Sequence, residues 1–416
     1  MADHPVKKSS AYRVLHTADW HLGKSLRDLS RDEEHARFLD WLADFILKSE
    51  TDLLVVAGDI FDSANPPQQA LRRYHEFIAR VYRETHAEIL IVGGNHDSPA
   101  LLESSASVLT QLRCRIVGQA PSAPANCILT FPQDTPKIAV AAIPFLRDRD
   151  LRKGVSGETS AEIRSAIVAG IANYYEAATQ AAPPDLPLLA TGHLTVTGSS
   201  TSDSERDIHI GGLGDIAADR FPEQIDYLAL GHLHRPQRCG KRSNFRYSGS
   251  PIPLSFSEAS DEKSLQLLDF VESELIEQHT IPIPAYRALL RVKAKRSSIR
   301  TALADLELPD TPLRPWLEIQ IKDPVPGEDL FQECLEASEA IDADVIQVTA
   351  IGQTAAILDE SEIDESETHR LLEDPTAVFQ RRLEMADQLD LDERETLELT
   401  FTKLLEAHQS GDPISA

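Results

Sequence analysis

The stretch LLVVAGDIFD (53–62) joins a run of apolar residues to a Gly-Asp turn that carries two carboxylates. An uninterrupted apolar run of this length, bounded by a turn, predicts a buried strand over 53–57. Helical patterns flank it over 32–48 and 68–85, each with apolar residues along one face. Strands that alternate with helices predict an α/β domain in which helices cover the sheet.

The same pattern continues through the first two thirds of the chain. Short apolar runs that end at polar clusters predict further strands over 12–16, 89–92, 138–143, 188–190 and 227–230, with two more at 244–247 and 265–270. The sequence IPIPAY (281–286) predicts a linker, because its prolines block regular backbone hydrogen bonding. We therefore expect a first domain over residues 1–284.

A smaller α+β unit is predicted for residues 285–356. Its pattern gives strands at 288–294, 317–321 and 345–350, with a helix at 328–340. Residues 357–416 are predicted to form an acidic linker and two helices, over 377–389 and 393–407. Residues 359–416 carry 17 acidic and 5 basic side chains, which favours solvent or a protein partner over nucleic acid.

The overall charge of −26 opposes nucleic-acid binding, but it is unevenly spread, with −10 on residues 1–284 and −16 on residues 285–416. The polar N-terminus resembles no signal peptide, and no apolar run approaches the roughly 20 residues of a membrane span. A cytoplasmic protein is expected. The four cysteines lie far apart, which argues against both a disulfide framework and a thiolate zinc site.

Metal-capable side chains follow five of the predicted strands, in the motifs TADWH, AGDIFD, GGNHD, TGH and LGHLH. In α/β sheets the loops beyond the carboxyl ends of strands converge on one cleft. The candidate ligands are Asp19, His21, Asp59, Asn95, His193, His232 and His234. Any one of these histidines alone would more often be an ordinary core or surface residue. Together they predict a site for two divalent ions with Asp59 as the bridge, because carboxylate, amide and imidazole ligands suit Mn²⁺, Mg²⁺, Fe²⁺ or Zn²⁺.

The residues within each pair, Asp19 with His21 and His232 with His234, are two positions apart. An extended backbone would turn the two side chains of each pair to the same side. Each pair is therefore predicted to grip metal from one extended segment.

The order DxH, GDxxD, GNHD, GH and GHxH resembles the calcineurin-like metallophosphoesterase superfamily. The longer stretches HTADWHLGKSL, VVAGDIFDSANPP, GGNHDSP, LALGHLHRPQ and YSGSPIPLSFSE resemble its SbcD nuclease family over most of the first 260 residues. This resemblance implies a four-layer α-β-β-α sandwich, followed by a small α+β capping domain and C-terminal helices. It also implies two metal ions, usually manganese.

For the site, the resemblance implies that Asp19, His21, Asp59 and His234 hold one ion and that Asp59, Asn95, His193 and His232 hold the other. His96 matches the family's catalytic histidine, which assists the leaving oxygen. Asp97 is expected either to orient the His96 imidazole or to cap a helix before Pro99. Asp62 stands where some relatives have histidine; it either supports the site or shapes the DSANPP turn, and we favour the turn.

For activity, the resemblance implies a DNA nuclease: a double-strand exonuclease and a single-strand and hairpin endonuclease acting in DNA repair, recombination and replication. Its partner would be the SbcC-type coiled-coil ATPase, docked by the C-terminal helices, with a possible homodimer inside a heterotetramer. Candidate DNA contacts are Lys24, Arg27, Arg291, Lys293 and Lys295. The alternatives are a solvated strand face for these cations, an enzyme for small nucleotides, and an inactive scaffold.

Overall fold

The computed structural model describes residues 5–152, 158–205, 215–322 and 330–351, together with Phe401. The strands are β1 Tyr12–Thr17, β2 Ser25–Leu26, β3 Leu29–Ser30, β4 Leu53–Ala57, β5 Glu88–Val92, β6 Cys114–Val117, β7 Ile128–Phe131, β8 Ile138–Ala141, β9 Leu188–His193, β10 Tyr227–Gly231, β11 Gln237–Arg238, β12 Phe245–Tyr247, β13 Ser264–Val271, β14 Glu274–Pro282, β15 Arg287–Ala294, β16 Leu313–Ile321 and β17 Asp344–Ala350. The helices are α1 Asp32–Lys48, α2 Gln68–Glu84, α3 Pro99–Ser104, α4 Ala106–Thr110, α5 Asp148–Leu151, α6 Ser160–Thr179, α7 Ile299–Ala304 and α8 Leu330–Ser338.

Two six-stranded sheets form the first part of the chain, in the orders β14-β13-β1-β4-β5-β6 and β11-β12-β10-β9-β8-β7. The neighbours β1, β4, β5 and β6 run parallel in the first sheet, as do β8, β9, β10 and β12 in the second. Antiparallel strands close their edges, namely β13 with β14 in one sheet and β7 and β11 in the other. The parallel centres bring the strand ends that carry the polar motifs to the same edge of each sheet.

The two sheets pack face to face and each is covered by helices. Val14 of β1 and Leu189 of β9 belong to the apolar layer between the sheets. The neighbouring Leu15 faces outward, into the layer shared with α1 and α2, whereas α6 covers the other sheet. Strands buried on both faces explain the continuous apolar runs in the sequence. The predicted four-layer α-β-β-α sandwich is confirmed.

The predicted linker at 281–286 is wrong, because its residues are part of the packed structure. Ile281 and Pro282 end β14, where Ile281 pairs with Leu265. Ile283 and Tyr286 are buried in the core beside α1, and the Ile283 N–H donates to the Lys263 carbonyl at 2.8 Å. Proline is tolerated here because β14 is an edge strand.

Residues 287–350 contain a three-stranded sheet, β15-β16-β17, with its own apolar core against α7 and α8. The helix predicted at 328–340 is described over Leu330–Ser338. Arg287 joins this sheet to α1, since its Nε lies 3.2 Å from Glu34 Oε2 and its guanidinium lies 4.3 Å from the Trp316 ring centre. We call β15–β17 with α7 and α8 the capping sheet.

The chain divides into two compact units, Met1–Thr349 and Ala350–Ala416. The second unit, including both predicted C-terminal helices, lies outside the described residues except for Ala350, Ile351 and Phe401, and the backbone of Phe401 is helical. The predicted domain boundaries at 284 and 356 remain predictions. All four cysteines are buried and free, as expected. No described helix is long and apolar enough to cross a membrane.

Candidate metal centre

The predicted ligands come together in one cleft at the carboxyl ends of five strands. Asp19 and His21 follow β1, Asp59 follows β4 and Asn95 follows β5. His193 ends β9, and His232 with His234 follows β10. All except the half-buried Asn95 are nearly inaccessible to solvent.

Three overlapping groups of side chains present ligand atoms within 4.8 Å of one another: Asp19, His21 and His234; Asp19, Asp59 and His193; and His21, Asp59 and His96. Asn95 adjoins the second group, because its Oδ1 lies 2.8 Å from His193 Nε2. The His232 ring centre is 5.5 Å from that of His193, and its backbone N–H donates to Asp19 Oδ1 at 2.9 Å. Asp19, His21 and Asp59 each belong to two of the three groups, so these three side chains connect the cluster.

The backbone of the cleft is left-handed at four of the seven predicted ligands. The φ angles are 53° at Asp19, 47° at His21, 50° at Asp59 and 98° at His232. We expected extended segments to place the pairs Asp19 with His21 and His232 with His234, and this expectation is therefore wrong. The pairs converge through tight turns whose backbone costs on the order of 1–3 kcal/mol per residue, and such conformations concentrate at functional sites.

Two glycines allow the ligand loops to approach each other closely. A Cβ on Gly58, which has a φ of +95°, would collide with the His193 imidazole. A Cβ on Gly94 would collide with the Asp59 carboxylate. The GD and GGN motifs therefore use glycine because another side chain occupies the space.

Three of the histidines have one ring nitrogen engaged and the other turned toward the cluster. His193 Nδ1 lies 3.0 Å from the Ala57 carbonyl, and His21 Nδ1 lies 3.2 Å from Asp62 Oδ1. His234 Nδ1 lies 2.6 Å from Ser204 Oγ. A metal-bound histidine has such a partner on Nδ1 and a deprotonated Nε2 turned to the ion, so these contacts fit histidines that bind metal.

Two buried atoms at the centre of the cleft have no hydrogen-bond partner among the described residues, Asp19 Oδ2 and His21 Nε2. An unsatisfied buried polar atom costs about 1–3 kcal/mol. A bound cation would satisfy both atoms at once. The donors are oxygen and imidazole nitrogen, so the residues present fit hard or borderline divalent ions.

The electrostatics of the cleft also favour cations. Burial, with a further contribution from Asp59, raises the pKa of Asp19 to about 7. Burial alone would raise the pKa of Asp59 too, but His193 and His21 hold it well below its usual range. Burial opposes charge on His193, yet Asp59 and Asp19 raise its pKa to about 9. Two adjacent buried carboxylates therefore draw positive charge into the cleft.

His96 borders the ligands, and the orienting role of Asp97 stays a prediction, since the described hydrogen bonds of His96 Nδ1 and of the Asp97 carboxylate go to other groups. His96 Nδ1 lies 2.7 Å from the backbone carbonyl of Asp62, which leaves Nε2 for the cleft. The Asp97 carboxylate instead accepts backbone N–H groups from Gly94 at 2.9 Å, Phe61 at 3.0 Å and Ile60 at 3.2 Å. It thus ties two ligand loops together. Ser98, not Asp97, caps α3, through a bond from the Leu101 N–H to its hydroxyl.

Asp62 contacts a ligand directly, which differs from the turn role we favoured. Its Oδ1 lies 3.2 Å from His21 Nδ1 and 3.0 Å from Lys24 Nζ. Burial would raise the pKa of Asp62, but the hydrogen bonds and attraction that it receives from His21 and Lys24 hold it well below its usual range. A carboxylate behind His21 therefore supports the cleft.

The predicted DNA contacts lie outside the cleft and differ in their surroundings. Lys24 pairs with Asp62, and Arg27 Nε donates to Gln347 Oε1 at 2.7 Å. Arg291 and Lys293 lie on the exposed face of β15, opposite the buried Val292 and Ala294, as the alternation predicted; Lys295 is also exposed but follows the end of the strand. Arg291 forms an ion pair with Glu318 of β16.

Sequence reasoning missed the group behind His234. Ser204, Glu258 and Lys263 form hydrogen bonds around this ligand. Glu258 ends the stretch YSGSPIPLSFSE, which supported the resemblance, but no regular spacing links it to LGHLH. Only the folded chain shows which histidine it serves.

Known proteins resemble this chain along most of its length. The calcineurin-like phosphoesterase family model matches residues 12–236, and the family model described as type 5 capsule protein repressor C-terminal domain matches residues 285–387. The SbcD subunit of nuclease SbcCD from Escherichia coli (strain K12) is 34% identical over 400 residues, covering 94% of this chain and 98% of that protein. The SbcD subunits from Rhodobacter capsulatus and Bacillus subtilis (strain 168) are 35% and 33% identical, covering 79% and 68% of this chain and 85% and 72% of their own lengths.

Proposed function

The chain belongs to the SbcD-type nucleases of the calcineurin-like phosphoesterase family, and from this premise we propose that it cleaves phosphodiester bonds of DNA. The observation that carries the proposal is the buried cleft in which the carboxylates of Asp19 and Asp59 meet the imidazoles of several histidines. Such a cleft fits divalent cations better than a proton relay alone, because Asp19 Oδ2 and His21 Nε2 are buried without a hydrogen-bond partner among the described residues.

We assign Asp19, His21, Asp59 and His234 to one ion and Asp59, Asn95, His193 and His232 to the other. Oxygen and imidazole donors without thiolate fit Mn²⁺, Mg²⁺, Fe²⁺ or Zn²⁺, and of these we propose manganese as the physiological ion. When bound, two such ions polarise the phosphate oxygens and activate water for an in-line attack on phosphorus. Asp59 is the shared ligand in this assignment, since it borders both His21, at 3.5 Å, and His193, at 3.3 Å.

His96 supplies the remaining proton chemistry. The Asp62 carbonyl accepts from Nδ1, so His96 carries a second proton, on Nε2, only as the imidazolium; in that form the Nε2 proton can pass to the 3′ oxygen as its bond to phosphorus breaks, which leaves a neutral imidazole. The incoming water supplies the new oxygen on phosphorus, and the DNA strand departs with the proton. Asp97 acts indirectly, by holding the loops that carry Asp59 and Asn95.

The relatives are named as one subunit of an SbcCD nuclease, which supports an SbcC-type ATPase as the partner and DNA as the substrate. Double-strand exonuclease and hairpin endonuclease activity in DNA repair, recombination and replication would then occur in a cytoplasmic assembly, with two copies of this chain in a heterotetramer. The exposed face of β15 with Lys293, and Lys295 just after it, is the proposed phosphate contact. Lys24 and Arg27 would contact phosphate only if DNA displaced their present partners.

The test is digestion of end-labelled duplex and hairpin DNA by the purified chain with Mn²⁺, with and without the ATPase subunit. We expect cleavage that requires Mn²⁺ and that ends on addition of a chelator. Rapid hydrolysis of a small nucleotide ester with intact DNA in every arm would identify a small-molecule phosphodiesterase. Binding of DNA and partner without hydrolysis of either substrate would identify an inactive scaffold.

A further inference from the structure

A serine and a glutamate stand behind the His234 imidazole. Ser204 Oγ lies 2.6 Å from His234 Nδ1, and the same hydroxyl donates to Glu258 Oε1. A hydroxyl that donates to a carboxylate has its lone pairs free to accept from Nδ1–H. The proton of the imidazole is thereby fixed on Nδ1, and Nε2 is left for the cleft that His234 shares with Asp19 and His21.

The glutamate pairs with a buried lysine, Lys263, which also hydrogen-bonds to the backbone of His234. Glu258 is fully buried, and its Oε2 accepts from Lys263 Nζ at 2.6 Å and from the Leu254 N–H at 3.1 Å. Lys263 Nζ also donates to the His234 carbonyl at 2.9 Å. A buried ion pair contributes little net stability by itself, so its bonds to the ligand are the more informative feature.

This support differs in kind from that of the other ligand histidines. His193 is oriented by the Ala57 carbonyl, which every residue type would supply. His21 is oriented by Asp62, whose side chain is 24% exposed. Only for His234, among these three, do a hydroxyl and a wholly buried carboxylate both face the imidazole: Glu258 Oε1 itself lies 3.4 Å from Nδ1, beside the Ser204 hydroxyl.

We infer that Ser204 and Glu258 are positioning residues that fix His234 as a ligand and thereby set the affinity of the metal position it serves. The inference rests on the proposed function, because it requires that the cleft binds divalent ions. Lys263 fixes the position of Glu258 through their ion pair. The hydroxyl of Ser204 hydrogen-bonds to both Glu258 and His234, so it restricts the orientation of the imidazole. Partners of this kind change metal affinity by about 10- to 100-fold when removed.

The test is calorimetric titration of Mn²⁺ into the metal-stripped full chain and its variants. We expect two equivalents for the wild type, and Ser204→Ala and Glu258→Gln should each weaken one equivalent by about 10- to 100-fold. Ser204→Thr, which keeps the hydroxyl, should bind both equivalents as the wild type does. Ser49→Ala is the matched control, since Ser49 is also buried but its hydroxyl bonds the Phe45 carbonyl and the Thr51 hydroxyl at the C-terminal end of α1.

The possible outcomes separate this inference from the metal site itself. A wild type that binds no Mn²⁺ would refute the proposed metal centre. A wild type that binds two equivalents, with Ser204→Ala and Glu258→Gln unchanged, would refute only the positioning role. Loss caused equally by Ser49→Ala would also refute it. Thermal unfolding in the presence of chelator identifies a variant that fails to fold. If Glu258→Gln fails to fold, Ser204→Ala alone tests the inference, because it keeps the ion pair between Lys263 and Glu258.

Discussion

The metal cleft and the basic face of β15 both stand out in the sequence as groups of charged side chains. In the folded chain they differ in burial and in the number of partners that each side chain has. In the cleft, Asp59 is buried and contacts His21, His193 and the His96 backbone N–H. On β15, Lys293 is exposed to solvent. Side chains held by several partners have a fixed geometry that a specific reaction can use, whereas an exposed cation contributes only its charge. Substitutions in the cleft should therefore have large effects on activity, and substitutions on the basic face should have small ones.

The largest effect should come from Asp59→Asn, which preserves shape but removes a charge and an acceptor at the proposed bridge. We expect DNA cleavage to fall by about 1000-fold or more, the scale of losing a central electrostatic group. Calorimetry should show fewer than two bound Mn²⁺. Asp40→Asn on the exposed side of α1 is the control. Activity within about tenfold of the wild type would show that Asp59 is no bridge.

His96→Ala separates catalysis from metal binding inside the cleft. We expect a loss of about 100- to 10,000-fold in the cleavage rate, because the proton donor for the leaving oxygen is missing. Mn²⁺ affinity should stay at the wild-type value, and His75→Ala on the exposed face of α2 should change neither. Parallel loss of activity and Mn²⁺ would instead make His96 a ligand.

Asp97→Asn tests whether this carboxylate holds loops or tunes His96. The amide replaces one acceptor oxygen by a donor, which leaves a buried N–H unpaired at a cost of about 1–3 kcal/mol. We expect a lower unfolding temperature and roughly tenfold weaker Mn²⁺ binding. If Asp97 held His96 protonated, its loss would lower the pKa of His96 and move the alkaline fall in activity to lower pH. An unmoved pH profile is the expected result.

The smallest effect should come from the double change Lys293→Gln with Lys295→Gln at the end of β15. Each phosphate contact contributes about 0.9 to the slope of log affinity against log salt for duplex DNA, so two lost contacts should reduce the slope by about 2. Hydrolysis of a small phosphodiester should be unchanged. Lys48→Gln at the end of α1 is the control. An unchanged slope would identify this face as merely solvated.

Most strands and the helices α1 and α2 of the first domain could be predicted, because strands buried on both faces leave continuous apolar runs and helices buried on one face leave a periodic pattern. The helix α6 was not predicted, although Ile167, Ile171 and Tyr175 line its buried face, because alanines on its other faces weaken the contrast between its two sides. The segment at 281–286 was taken for a linker, because local proline chemistry does not show that Ile281 pairs with Leu265. Long-range pairing overrides the local signal there.

The candidate ligands could be named from the sequence because strand ends of a parallel sheet must converge, and their residue types already limit the chemistry. Tertiary structure alone decided how each ligand is held. The left-handed turns at Asp19 and His21, the Asp97 carboxylate between two loops, and the contact of Ser204 and Glu258 with His234 all depend on segments far apart in the chain. A sequence records which groups are available, but hydrogen bonds act over about 3 Å, and only folding brings their partners within that distance.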